Sequence, residues 1–179
     1  LRAASDDPSA AERAIGSRTD IATLDAYTRA SDSAAARLSG MDTALTDIIE
    51  RITEAKVRTA GARGSQATIE SREAAALALE GIRDAVLGTI NLSVGGTSLF
   101  AGAQARTHAY ARVAGVWTYQ GDAGTVAVDI GQSRTVATAR NGQAIVQGTD
   151  PTDLFTVIDD LAAAIRAGDD AGMAAGAAA

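Results

Sequence analysis

The chain has 179 residues, enough for one good core or two small ones. It has no cysteine, which removes disulfides and thiolate metal sites, and its single histidine removes any multi-histidine site. Aromatics make up 3%, with alanine in many places where large side chains would sit, so close helix packing is favoured over a deep pocket; the net charge of -6 argues against electrostatic binding to nucleic acid or anionic membrane.

Asp6, Asp7 and Pro8 mark the first helix start, with Asp7 as N-cap and Pro8 at the first helical position, where a missing N–H costs nothing. From there to about Ala60 no proline intervenes, and Gly16 and Gly40 are the only weak points, Gly16 the candidate kink. The reading is a rod of roughly 80 Å at 1.5 Å per residue. Along it, Leu24, Ser31, Leu38, Leu45 and Ile52 recur every seven residues, with Tyr27, Ala34, Met41, Ile48 and Ala55 three positions behind. That beat predicts lengthwise packing on other helices.

Gly61 to Ser65 breaks the rod, and a second helix is predicted from about Ile69 to Leu92, with Ala75, Leu79, Ile82 and Val86 on one stripe. Two apolar stripes joined by a glycine turn fold back as an antiparallel hairpin. After Gly95-Gly96 the period changes to two, through Trp117 and Tyr119, Val126, Val128 and Ile130, then Val136 and Thr138, with Gly121 to Gly124, Gly131 and Asn141-Gly142 as turns. Asp150, as cap, and Pro151 in the first turn then open a last helix whose apolar face is Phe155, Ile158, Leu161 and Ile165. The fold class is therefore mostly α with a β-rich insert, an elongated antiparallel helical bundle plus a small β domain. Its divisions fall at 1–96 for the hairpin, 97–148 for the insert and 149–179 for the returning helix. Starting at Leu1 without an initiator methionine and stopping inside an alanine-rich run after Met173, the chain reads as a piece of a longer one. No run of eighteen apolar residues is present, so no membrane-inserted helix is expected.

The inventory for chemistry is thin. His108 reads as a solvated loop residue, and Gly131-Gln132-Ser133-Arg134-Thr135 lacks the closing glycine of a nucleophile elbow and reads as a turn. Asp159 and Asp160 point about 100° apart on a helix and read as solvated surface. Trp117 and Tyr119 read as a small core for the β unit in preference to a sugar or peptide platform. Asn91-Leu92-Ser93 matches a glycosylation sequon at a helix end. No enzyme activity, cofactor or metal is expected.

The segment Ala3 to Ala11, centred on Asp6, Asp7 and Pro8, resembles the signature near the N-terminal region of bacterial flagellins and flagellin-like axial proteins, and Ala36 to Ile48 resembles their following heptad helix. The succession Ser98-Leu99-Phe100-Ala101-Gly102, Ala109-Tyr110, then Trp117 to Asp122, with Tyr119 and Gly121, is similar to the pattern of the hook-filament junction members, the hook-associated proteins adjoining the filament. Asn141-Gly142 and Asp153-Leu154-Phe155 fall where that family has them; Tyr110 stands where it usually has phenylalanine. The resemblance implies a flagellin-like helical core without its terminal polymerisation helices. It implies a structural, secreted protein of the extracellular flagellum, exported through the type III channel with an export chaperone. Its expected partners are the hook-side junction protein, flagellin and copies of itself. The other readings are a filament-forming flagellin and a helical adhesin or stalk module. On any of them Leu24, Tyr27, Leu38, Met41, Leu45, Ile48, Ile52, Leu79, Ile82, Val86, Phe155, Ile158, Leu161 and Ile165 form the helix-packing seam.

Overall fold

The computed structural model describes residues 8–64 and 67–178. The first element is a single uninterrupted helix, α1, Pro8–Ala62, which passes through Gly16 and Gly40 without a break. The expected cap, Asp7, lies outside the described residues. Helix α2, Ile69–Ile90, is opened by Thr68, whose hydroxyl accepts from the Ser71 N–H, and ends at Ile90, two residues before the expected Leu92, with Asn91 as its C-cap.

α2 runs antiparallel to the C-terminal half of α1. Asp47 on α1 accepts from Thr89 Oγ1 at 2.7 Å near one end, and Ala62 and Ala76 are buried toward the other. The buried stripe on α1 is Ala34, Met41, Ile48, Ala55 and Ala62, joined by Arg37, Ala44 and Thr59. The seven-residue beat is thus present, but its inner column is the one led by Ala34. Of the other column, Leu24 is 62% exposed, Leu38 is 38% exposed, and Leu45 and Ile52 are half-buried at the edge of the core. A heptad repeat supplies two apolar columns, and α2 with the β segments covers only one side of them.

After α2 the β-rich part comprises three separate antiparallel hairpins: β1 Ser93–Val94 with β2 Thr97–Ser98, β3 Tyr110–Val113 with β4 Val116–Tyr119, and β5 Ala127–Gly131 with β6 Arg134–Ala137. Gly95 and Gly96 close the first at positive φ of 61° and 74°, a conformation glycine adopts without a Cβ penalty. Asn141-Gly142, expected as a turn, instead starts the short helix α3, Gly142–Val146, with Asn141 as N-cap accepting from the Gln143 N–H at 2.9 Å.

The returning helix α4 is Leu154–Ala167, and its cap is Asp153, not Asp150. Asp153 Oδ1 accepts from the N–H groups of Phe155 and Thr156, both at 3.0 Å, so it satisfies donors that Asp150 stands too far upstream to reach. α4 packs antiparallel on α2: Arg166 bridges Glu73 and Glu80, and Arg83 pairs with Asp159. After Gly168 at φ +67°, helix α5, Asp170–Ala178, folds back along α4, with Gly176 against Leu161. Leu79, Ile82, Val86, Phe155, Ile158, Leu161 and Ile165 all lie in the resulting core, which extends to Leu99, Phe100, Ala109 and Tyr110 of the β-rich part.

Candidate functional site

The turns at Gly121 and Asn141-Gly142, the Ser98 to Gly102 phrase and Tyr119 converge on one knot at the head of the α2–α4 bundle. Phe100 is fully buried, and the strand-like stretch around it pairs with 140–142: Arg140 donates to Leu99 O at 3.0 Å, Gly102 to Arg140 O at 3.1 Å and Gly142 to Phe100 O at 2.8 Å. The Tyr119 hydroxyl reaches into the crossing, where it donates toward the Phe100 and Asp122 carbonyls at 3.0 and 3.1 Å and accepts from the Gly142 N–H at 3.3 Å. One phenol therefore ties three chain segments together.

The glycines are there because the segments approach too closely for a side chain. A Cβ on Gly102, which holds φ +65°, would strike the Asp122 carbonyl, and one on Gly142 would sit 2.7 Å from Phe100 O. Gly121 is similarly pressed against the Tyr119 hydroxyl. Asp122 completes the knot: Oδ1 accepts from the N–H groups of Ala103 at 2.7 Å and Gly124 at 2.9 Å, and Oδ2 from Gln104. Those backbone donors hold its carboxyl below the usual aspartate range. Phe100, Gly102, Tyr119, Gly121, Asn141 and Gly142 are brought together; the role of Asp122, the most connected polar group, was not read from the sequence. An Asp following a Gly in a turn context was its signal.

Next to the knot lies an aromatic cluster. Tyr110 packs on Phe155 at 5.0 Å edge-on and on Tyr119 at 5.4 Å, and Trp117 sits 5.3 Å from Phe155. Burial pushes the Tyr110 phenol up to about 12. Trp117 donates to Asp159 Oδ2 at 3.0 Å, and Asp159 also receives Arg83, whose guanidinium lies over the indole ring. Asp159 is therefore a half-buried tie between α4, α2 and β4, a correction to its reading as solvated surface, because the indole N–H and the Arg83 head both need an acceptor there. Asp160, one position on, is exposed. Asn91 donates to the Tyr110 carbonyl and accepts from its N–H, both at 2.9 Å, so the sequon's amide is committed to the backbone.

A second tie had no sequence signal at all. Arg37 is only 7% exposed; its guanidinium donates to Thr138 O, Val94 O and Ser98 O at 3.1, 3.3 and 3.2 Å, and burial lowers its pKa from the ordinary arginine value. It joins α1 to the first hairpin and to the segment after β6. Gly40, one turn along, leaves room for Val94 and Leu99.

The rest of α1 stands free. From Glu12 to Ala26 every residue is exposed, including Ile15, Ile21 and Leu24, and Tyr27 is half-buried beside the β5–β6 turn. Among the described residues no group of three or more His, Cys, Asp and Glu is gathered, and no helix is long and apolar enough to cross a membrane.

A rod helix, an antiparallel partner and a returning helix, with β hairpins between the last two, make a fold shared with solved flagellar hook-associated proteins. The chain is similar to a Vibrio parahaemolyticus structure described as a flagellar hook-associated protein, with 20% identity and a TM-score of 0.85 over 97% of this chain and 80% of that one. It is similar to Bacillus cereus FlgL at 16% identity and TM-score 0.74, covering 94% of this chain and 80% of that one. It is also similar to the flagellar junction protein FlgL of Legionella pneumophila at 17% and 0.64, covering 79% of this chain and 43% of that one. No family model and no curated protein matches the sequence.

Proposed function

We propose that the chain is a structural component of the bacterial flagellum that joins the hook-side junction protein to the flagellin filament. The observation that carries the reading is the likeness to a hook-associated protein over 97% of the chain at a TM-score of 0.85. The knot of Phe100, Gly102, Tyr119, Gly121, Asn141 and Gly142 supports it, because it gives the sequence pattern shared with that family a physical reason. On this reading 1–96 and 149–179 are the helical core and 97–148 is an outer β domain. The protein acts by packing and not by catalysis. Its place is the extracellular flagellum, reached by type III export with a chaperone, and its partners are flagellin, the hook-side junction protein and its own copies. The seam residues serve to stiffen the core, where many small contacts resist bending.

Immunogold electron microscopy with antibody raised against the chain tests this on the source organism's flagella. Gold confined to the hook-filament boundary is the expected result. Gold along the filament makes the protein a flagellin, and gold elsewhere on the cell with bare flagella favours an adhesin or stalk.

A further inference from the structure

We infer that the chain holds a small inorganic oxyanion of the phosphate class in a polar cradle beside the β1–β2 hairpin. The cradle is a cavity of about 100 Å³ where that hairpin meets the 105–108 stretch leading into β3. The Ser98 N–H donates to Ala105 O at 2.8 Å and fixes the two walls against each other. Ser93, Ser98, Arg106, Thr107 and His108 are among the lining residues, so hydroxyl, guanidinium and imidazole groups border the cavity and no carboxylate does.

Two observations single out an anion. Ser98 is 5% exposed, and its hydroxyl is buried without a hydrogen-bond partner. A buried hydroxyl left unpaired is costly, so this one marks a donor that the fold itself does not use. The second observation is Arg37, whose buried guanidinium donates to the Val94 and Ser98 carbonyls at 3.3 and 3.2 Å and has no carboxylate partner. A buried charge without a counter-charge raises the positive potential around it, and Ser98 touches both Arg37 and the cradle. Arg106 and His108 are exposed, and among the described residues neither side chain is spent on a hydrogen bond or ion pair. A water would satisfy the Ser98 hydroxyl but would use neither the potential nor the guanidinium. A tetrahedral oxyanion uses all of them, since its acceptor oxygens point in several directions and arginine binds such oxygens in pairs. The cavity is well below the roughly 300–1,000 Å³ of a drug-sized ligand site, which suits the free ion and not a nucleotide. Bound there, the ion ties the 105–108 stretch to the hairpin and, through Ser98 and Arg37, to the α1 rod.

The site stands whatever the chain's role in the flagellum. Amide spectra of the isotope-labelled chain are followed as sodium phosphate replaces sodium chloride at fixed pH and ionic strength, with sodium acetate as a parallel series. Expected are saturable shifts confined to 93–98 and 105–108, with a midpoint in the millimolar range, and acetate binding at least about tenfold weaker. Arg106→Gln, at an exposed position, and Ser98→Ala each weaken phosphate binding about tenfold. In chloride alone Ser98→Ala melts no lower than the parent chain, because no hydrogen bond is lost, whereas phosphate raises the melting temperature of the parent more than that of the variant. Setting variant against parent removes the general stabilisation that phosphate gives to any fold. Shifts that never saturate, shifts spread along α1, or binding that either variant leaves unchanged overturn the proposal. So does acetate binding as tightly as phosphate, or a Ser98→Ala variant destabilised in chloride, which would show the hydroxyl already partnered.

Discussion

Gly102 and Asp122 show how little material fixes the knot. An alanine at Gly102 meets both the positive φ and the Asp122 carbonyl, so Gly102→Ala costs about 3 kcal/mol in urea unfolding. Gly16→Ala, where a Cβ meets nothing within 4 Å, stabilises by about 0.5–1 kcal/mol in the helix interior. The Asp122 carboxyl titrates below its ordinary 3.8 because two backbone N–H groups favour its charged form. Its contribution is therefore complete above the unfolded-state value and is lost as pH falls from 3.8 through the folded-state value. Stability measured against pH should fall less steeply over that range in Asp122→Asn than in the parent chain. Tyr110 is the opposite case: its raised value keeps the neutral phenol favoured in the fold, so its contribution holds below pH 10 and fades as pH rises from 10 toward 12. In a spectrophotometric titration one tyrosine ionises near pH 12 while the protein stays folded.

At the scale of elements, α1 divides into two helices that differ in what holds them. Residues 41–62 are packed against α2, whereas 12–26 bury nothing, and Thr19 and Thr23 bond only to the carbonyls four residues back. A stretch of about fifteen residues without packing is marginal as a helix in water. Hydrogen exchange on the dilute chain is expected to be fast over 12–26 and at least about a hundredfold slower over 44–59; uniform protection along α1 would contradict this. The sequence displayed the rod, its antiparallel partner and the Phe155 face because each is an unbroken periodic run. It did not display which heptad column faces inward, since Leu38 and Met41 look equally apolar on paper and only the position of α2 chooses between them. The cap at Asp153 was obscured by Asp150-Pro151, a stronger local signal that the fold does not use. The knot was visible only as a resemblance, because its bonds link residues as far apart as Phe100 and Gly142, and no local pattern encodes a meeting of that kind.

For the whole molecule, the junction between rod and hairpins rests on a buried charge that lies outside both heptad columns. Arg37 occupies the buried side of α1 between Ala34 and Met41, and its partners are three carbonyls with no carboxylate among them. A planar guanidinium spans acceptors on different segments, whereas an ammonium is a point donor that cannot. Arg37→Met leaves those carbonyls without their donor and costs about 3 kcal/mol, and Arg37→Lys recovers less than half of it. The α2–α4 core does not depend on this tie, so Leu79, Phe155 and Ile165 keep their packing in the variant. Amide spectra of Arg37→Met should then show shifts and line broadening in 126–138 and 93–98, with the α2 and α4 resonances unmoved. Broadening spread through α2 and α4 would mean instead that rod, hairpins and bundle form one cooperative body. Three hydrogen bonds from one residue can set the angle between hairpins and rod without enlarging a core that has few large side chains to offer.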